Sequence, residues 1–106
     1  MGFFDFLRGA DTDAGIQKFH ETNGAVLLDV RDPDEFRGGH IPGALNLPLD
    51  TIGSKITSQF DSDTPLFVYC LSGARSTRAA VALRSIGFTN VNNIGGINRY
   101  HGKLER

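Results

Sequence analysis

Apolar positions along this chain change period repeatedly, and the changes mark out short alternating elements. Asp11-Thr12-Asp13 offers N-cap chemistry, Ile16, Phe19 and His20 follow at helical spacing, and Asn23-Gly24 stops the helix. Ala25-Val26-Leu27-Leu28-Asp29-Val30 is a continuous apolar run with one carboxylate near its end, which suits a buried parallel strand better than an exposed hairpin strand. Asp32-Pro33-Asp34-Glu35-Phe36 reads as a helix start, with Asp32 as cap, Pro33 at the first helical position and Glu35 facing back to the cap. His40-Ile41-Pro42-Gly43 is a turn in which Pro42 fixes one central residue and Gly43 takes the left-handed one. Ala44 to Leu47 is a second short strand. Asp50 to Phe60 is a helix with Ile52 and Ile56 on one face, and Pro65 to Tyr69 is a third strand ending at Cys70.

Ser76 to Ile86 gives the clearest helical pattern, with Ala79, Leu83 and Ile86 on one face and Gly87 as its stop. Phe88 and Val91 to Ile94 form a last strand, followed by Gly95-Gly96 and a brief turn through Tyr100. Strands alternating with helices predict an α/β architecture, a parallel sheet covered on both faces. Ligands in such sheets bind beyond the carboxyl ends of the strands, and Cys70 stands at such an end.

The chain has 106 residues, 40% of them apolar, which fits one folded domain and excludes a disordered chain. Its formal net charge of -1 gives no reason to expect a nucleic-acid partner. No run approaches the length of a membrane span. The opening residues Met1 to Arg8 lack a basic leader, and Asp5 interrupts their apolar run, so they do not read as a secretory signal. Phe6 stands where myristoylation requires Ser or Thr. Residues 1–10 are expected to be an amphipathic extension docking its phenylalanines on a domain that spans 11–106, the alternative being a sticky surface for a partner or membrane. A single cysteine fits a reducing compartment, and a cytoplasmic location is expected.

That cysteine opens the segment Cys70-Leu71-Ser72-Gly73-Ala74-Arg75, between a buried strand and a helix. A free thiol has a pKa of about 8.5 and is a poor nucleophile until it loses its proton. A tight loop with Gly73 at positive φ lets successive N–H groups point inward around an anion. The positive end of the following helix adds roughly 0.3–2 kcal/mol, about one pKa unit at most. Larger activation must come from N–H groups bonded to sulfur and from Arg75. A core cysteine needs none of these surroundings, so Cys70 is read as a nucleophile with Leu71, Ser72, Gly73, Ala74, Arg75 and Ser76 as its binding loop.

Three ordered motifs carry a resemblance to the single-domain rhodanese family, from about Asp11 to Gly102. Leu28-Asp29-Val30-Arg31, Glu35-Phe36 and Gly39-His40-Ile41-Pro42-Gly43-Ala44 with Asn46 resemble its first signature. Tyr69 to Ser76 resembles its active-site loop, and Gly87-Phe88 with Gly95-Gly96-Ile97 its closing elements. The resemblance implies a rhodanese-like α/β fold, a five-stranded, mainly parallel sheet flanked by helices on both faces. It implies transfer of sulfane sulfur from thiosulfate or a persulfide, through a cysteine persulfide, to cyanide or a thiol, with no metal or organic cofactor. A sulfur-relay protein is a further expected partner. The six-residue loop from Cys70 to Arg75 matches the sulfurtransferases. Phosphatases and arsenate reductases of this fold have a loop one residue longer. Tyr100 stands where many members have Trp, the C-terminal tail is short, and no strand is evident in Phe6 to Asp11.

Asp29 and Arg31 are supporting candidates that either orient the loop or pair with each other and with Glu35. His40 is a weak general-base candidate, while His20 and His101 read as surface residues. No spacing among these histidines and Cys70 suggests a metal site. The competing function is a binding or redox-sensing module of the same fold that does not turn over.

Overall fold

The computed structural model describes residues 11–106, so the expected N-terminal extension, residues 1–10, lies outside the described residues. Helix α1 (Thr12–Glu21) is capped by the Asp11 carboxylate, which accepts the Ala14 N–H at 3.1 Å. Strand β1 (Val26–Asp29) follows, then α2 (Pro33–Gly38), β2 (Ala44–Asn46), a short turn of 3-10 helix at Leu49–Thr51, and α3 (Ile52–Gln59). Strand β3 (Leu66–Cys70), α4 (Ala74–Ser85), β4 (Val91–Gly96) and a last 3-10 turn at Ile97–Arg99 complete the order. All pairings are parallel and the strand order is β2-β1-β3-β4.

The sheet is buried because its strands are apolar toward both faces. Along β3, Phe67 and Tyr69 join Ile16, Leu27, Ile41 and Ile94 in the core beneath α1. Leu66, Val68 and Cys70 join Leu28, Ile52, Ile56, Ala79 and Leu83 in the core beneath α3 and α4. Strand alternation therefore sends Tyr69 to one face and Cys70 to the other. The turn before β2 forms as its sequence demands. The Ala44 N–H donates to the Ile41 carbonyl at 3.1 Å, and Gly43 sits at φ +89.

Three expectations need correction. The sheet has four strands, not five, among the described residues. The four read from apolar runs are all present. A fifth was expected only before the first helix, where the one described residue, Asp11, is committed to capping α1. Helix α4 begins at Ala74, two residues ahead of Ser76, because Gly73 already serves as its N-cap. Its buried face holds Ala79, Ala80 and Leu83, whereas Ile86 is the C-cap and is exposed. The short tail is tied down through paired backbone bonds of 2.8 Å between His40 and Glu105.

Candidate active site

Cys70 ends β3 at the carboxyl edge of the sheet, with only 1% of its surface exposed. Leu71 and Ser72 leave the sheet, and Gly73 turns the chain back into α4 at φ +109. Only glycine adopts that conformation without strain. The turn aims two amides at the sulfur: the Gly73 N–H donates to Cys70 Sγ at 3.1 Å and the Ser76 N–H at 3.3 Å. The Ser76 hydroxyl oxygen lies 3.6 Å from the same sulfur.

These contacts set the thiol chemistry. Burial alone pushes the Cys70 pKa up, but the Ser76 hydroxyl and the N–H groups of Ser76, Gly73 and Ser72 push it down further. The net direction is below an ordinary thiol, which favours the thiolate. Ser76 is fully buried, and its one hydroxyl proton has three acceptors within reach: Sγ, the Gly73 carbonyl at 3.1 Å and the Gly95 carbonyl at 3.3 Å. The N–H groups of Ala74 and Arg75, in the first turn of α4, have no hydrogen-bond partner among the described residues.

Glycines of β4 support the loop from behind. A Cβ on Gly96 would stand 2.2 Å from the Leu71 carbonyl oxygen and 2.7 Å from Asn98 Oδ1. That carbonyl is held by the Asn98 N–H at 3.2 Å. Leu71 itself faces outward, 48% exposed, as an apolar rim beside the site.

Arg75 is engaged. Its Nη1 donates to Glu35 Oε1 at 2.7 Å and its Nη2 to Oε2 at 3.0 Å, a bidentate pair linking α4 to α2. Glu35 Oε1 also accepts the Asp32 N–H at 3.0 Å, the reach back to the cap. Hydrogen bonds from Arg75, opposed by partial burial and helped by the Asp32 N–H, hold the Glu35 carboxyl down at about 2.

Asp29 and Arg31 form a separate buried node. Arg31 Nε donates to Asp29 Oδ1 at 3.0 Å, and its Nη2 to Oδ2 and to the Gly39 carbonyl, each at 2.7 Å. The Tyr69 hydroxyl, on the same sheet face, accepts the Ile41 N–H at 3.1 Å. Together these bonds fasten residues 39–41 to the sheet. No hydrogen bond or ion pair joins Asp29 or Arg31 to residues 70–76 among the described residues, and Glu35 pairs with Arg75 instead. His40 stacks on Phe36 with ring centroids 3.8 Å apart and its Nδ1 lies 3.0 Å from the Phe36 carbonyl. His101 is exposed and bonds Asp13.

Sequence reasoning did not anticipate Glu35 as the partner of Arg75 or the Gly96–Asn98 support. From the sequence, Glu35 reads as a capping residue and as a partner of Asp29 and Arg31, not of Arg75. The Gly95-Gly96 pair was visible as a motif, but not what it touches. Among the described residues no three His, Cys, Asp or Glu side chains cluster as metal ligands, and no helix is long and apolar enough to cross a membrane.

The family profile of the rhodanese-like domain matches residues 13–103. A Bacillus subtilis protein named uncharacterized protein YqhL is 43% identical over 82 residues, covering 76% of this chain and 64% of the relative. The chain thus spans less than two thirds of that relative's length. An Allochromatium vinosum protein named sulfurtransferase is 36% identical over 86 residues, covering 81% of this chain and 79% of the relative. A solved rhodanese-like domain protein from Staphylococcus aureus superposes with a TM-score of 0.76 at 32% identity, covering 89% of this chain and 92% of that one.

Proposed function

The chain belongs to the rhodanese-like domain family, and from that premise we propose that it is a sulfurtransferase carrying sulfane sulfur as a persulfide on Cys70. The observation that carries this reading is the convergence on one sulfur of the Gly73 and Ser76 N–H groups and the Ser76 hydroxyl. Such an arrangement stabilises an anion on sulfur and has no use around an inert core cysteine.

In the first step the Cys70 thiolate attacks the sulfane sulfur of thiosulfate or of a persulfide. A new S–S bond forms to Sγ as the donor's S–S bond breaks, and the electron pair leaves as sulfite or as a thiolate. The negative charge then rests on the outer sulfur, close to the unpartnered N–H groups of Ala74 and Arg75 at the positive end of α4. In the second step cyanide or an acceptor thiolate attacks that outer sulfur, and the electron pair of the broken S–S bond returns to Sγ. The transferred sulfur keeps its oxidation level, so no oxidant, metal or organic cofactor takes part.

A protein thiol of a sulfur-relay partner could replace the small acceptor, with exposed Leu71 as an apolar contact at the rim. A cytoplasmic setting belongs to this reading, because a thiol-rich compartment supplies acceptors for the persulfide and keeps a lone cysteine reduced. Mass spectrometry after exposure to thiosulfate or glutathione persulfide tests it. One added sulfur on Cys70, removed by cyanide or a thiol, is the expected result. No added sulfur with either donor would leave the family membership intact and overturn the activity.

A further inference from the structure

The loop contains one cation, Arg75, and a doubly charged donor such as thiosulfate would be expected to use it. The structure shows that guanidinium already committed. Its two outward nitrogens form a planar fork onto both oxygens of Glu35, at 2.7 and 3.0 Å. That geometry is the one a sulfonate would need. Glu35 is in turn fixed by the Asp32 N–H at 3.0 Å, so its carboxylate is positioned before any donor arrives.

On the side of the loop that carries Arg75, the surroundings do not replace the lost positive charge. Beside Arg75 lies an open hollow of about 520 Å³ lined by Val30, Leu49, Asp32, Asp50, Arg78 and Ala82. Its two carboxylates balance Arg75 and Arg78, and Glu35 adds a further negative charge beside it. A dianion approaching from this side finds a neutral to acidic rim. The sulfur itself is activated by amides and a hydroxyl, none of which depends on Arg75 carrying a free charge.

We propose that Glu35 is a positioning residue that sets donor specificity: by occupying Arg75 it disfavours thiosulfate and leaves the site selective for alkyl persulfides, which bring no sulfonate. This deepens the proposed sulfurtransferase activity and rests on it. Glu35 touches neither the sulfur nor the donor and acts only through Arg75.

Glu35→Gln removes the charge but keeps an acceptor for the Asp32 N–H, so the start of α2 is retained. Steady-state transfer to cyanide is measured for wild type and variant with two donors, thiosulfate and the persulfide of 2-mercaptoethanol. The expected result is a KM for thiosulfate lowered by about tenfold or more, the low end of the scale of one charge-assisted hydrogen bond. The KM for the alkyl persulfide should stay within about twofold, and kcat should change little with either donor. A purely structural role would instead weaken both donors together. Arg75→Ala and the Glu35→Gln/Arg75→Ala double variant complete a cycle in which the gain must vanish without Arg75. An unchanged or raised KM for thiosulfate, equal changes with both donors, or a gain that survives Arg75→Ala would overturn the assignment. Absence of transfer by the wild type with either donor would instead overturn the activity on which it rests.

Discussion

Removing the Ser76 hydroxyl should raise the Cys70 pKa by about one unit while leaving the loop folded. Ser76→Ala deletes the one side-chain group that faces Sγ and retains the Gly73 and Ser76 N–H bonds at 3.1 and 3.3 Å. A hydrogen bond to a charged acceptor is worth about 1.5–3 kcal/mol. The low end applies here, because the oxygen is 3.6 Å from sulfur and its proton has two competing carbonyls. About 1.5 kcal/mol corresponds to roughly one pKa unit. The same deletion costs little stability at Gly73, whose carbonyl keeps the Thr77 N–H at 3.0 Å and the Thr77 hydroxyl at 2.8 Å. The Gly95 carbonyl loses its Ser76 bond, so a loss of about 1 kcal/mol is expected. The assay is the rate of iodoacetamide alkylation against pH, which reports the thiolate fraction directly, with thermal unfolding run alongside. A midpoint that did not move, in a variant that stays folded, would show that the amides alone activate the sulfur.

Cys70→Ser should retain the fold and lose all sulfur loading, since an alkoxide cannot hold a transferable sulfane sulfur; residual turnover would refute the Cys70 assignment. Gly96→Ala places a methyl group 2.2 Å from the Leu71 carbonyl, so about 1–3 kcal/mol of stability and most of the transfer rate should be lost; full activity would show that the strand does not set loop position. Asp29→Asn weakens the one ion pair of the buried Arg31 guanidinium among the described residues, and urea unfolding should show a loss of about 3 kcal/mol. The Glu35 carboxyl is lowered from 4.5 to about 2 in the fold, so its contribution is complete above about 4.5 and disappears as pH falls through about 2. Solvent screening of this pair, 30% exposed on each side, limits the contribution to about 1 kcal/mol; the stability gap between wild type and Glu35→Gln should close over that interval in urea titrations, and a constant gap would contradict the ion pair.

Most of the fold was legible because local chemistry and apolar period agree. Strands β1 and β3 are apolar throughout except for Asp29 at the end of β1, which only a sheet covered on both faces accommodates, and Asp32-Pro33 with Glu35 announces α2 through capping alone. The start of α4 was misplaced because the sequence shows no capping side chain at Gly73; the N-cap is a glycine whose left-handed turn begins the helix early. Ile86 fits the helical period yet lies outside the helix, since Gly87 at φ +111 already turns the chain. Cys70 and its loop were readable from composition and order. The pairing of Arg75 with Glu35 was not, because it joins residues 40 apart in sequence. Which of two carboxylates, Asp29 or Glu35, meets which arginine is decided by strand alternation and helix placement. Asp29 points to the face of Tyr69, while Glu35 lies on α2 within reach of the first turn of α4.

The early start of α4 also explains why the sulfur is activated without a dedicated base. A helix leaves its first N–H groups without partners, and an N-cap side chain normally accepts one of them. Gly73 has no side chain to do so. Cys70 Sγ takes that place, accepting from Gly73 itself and from Ser76, the third residue of the helix. The proposed nucleophile is therefore also the cap, and its ionisation is coupled to the stability of α4. Because the folded pKa lies below the unfolded one, the thiolate stabilises the fold increasingly as pH rises through the folded value toward the unfolded one, and that contribution is lost on acidification. In the proposed reaction a persulfide moves the charge one atom outward, toward the N–H groups of Ala74 and Arg75. The same helix end can thus hold the anion in both halves of the proposed cycle, with no side chain required to move.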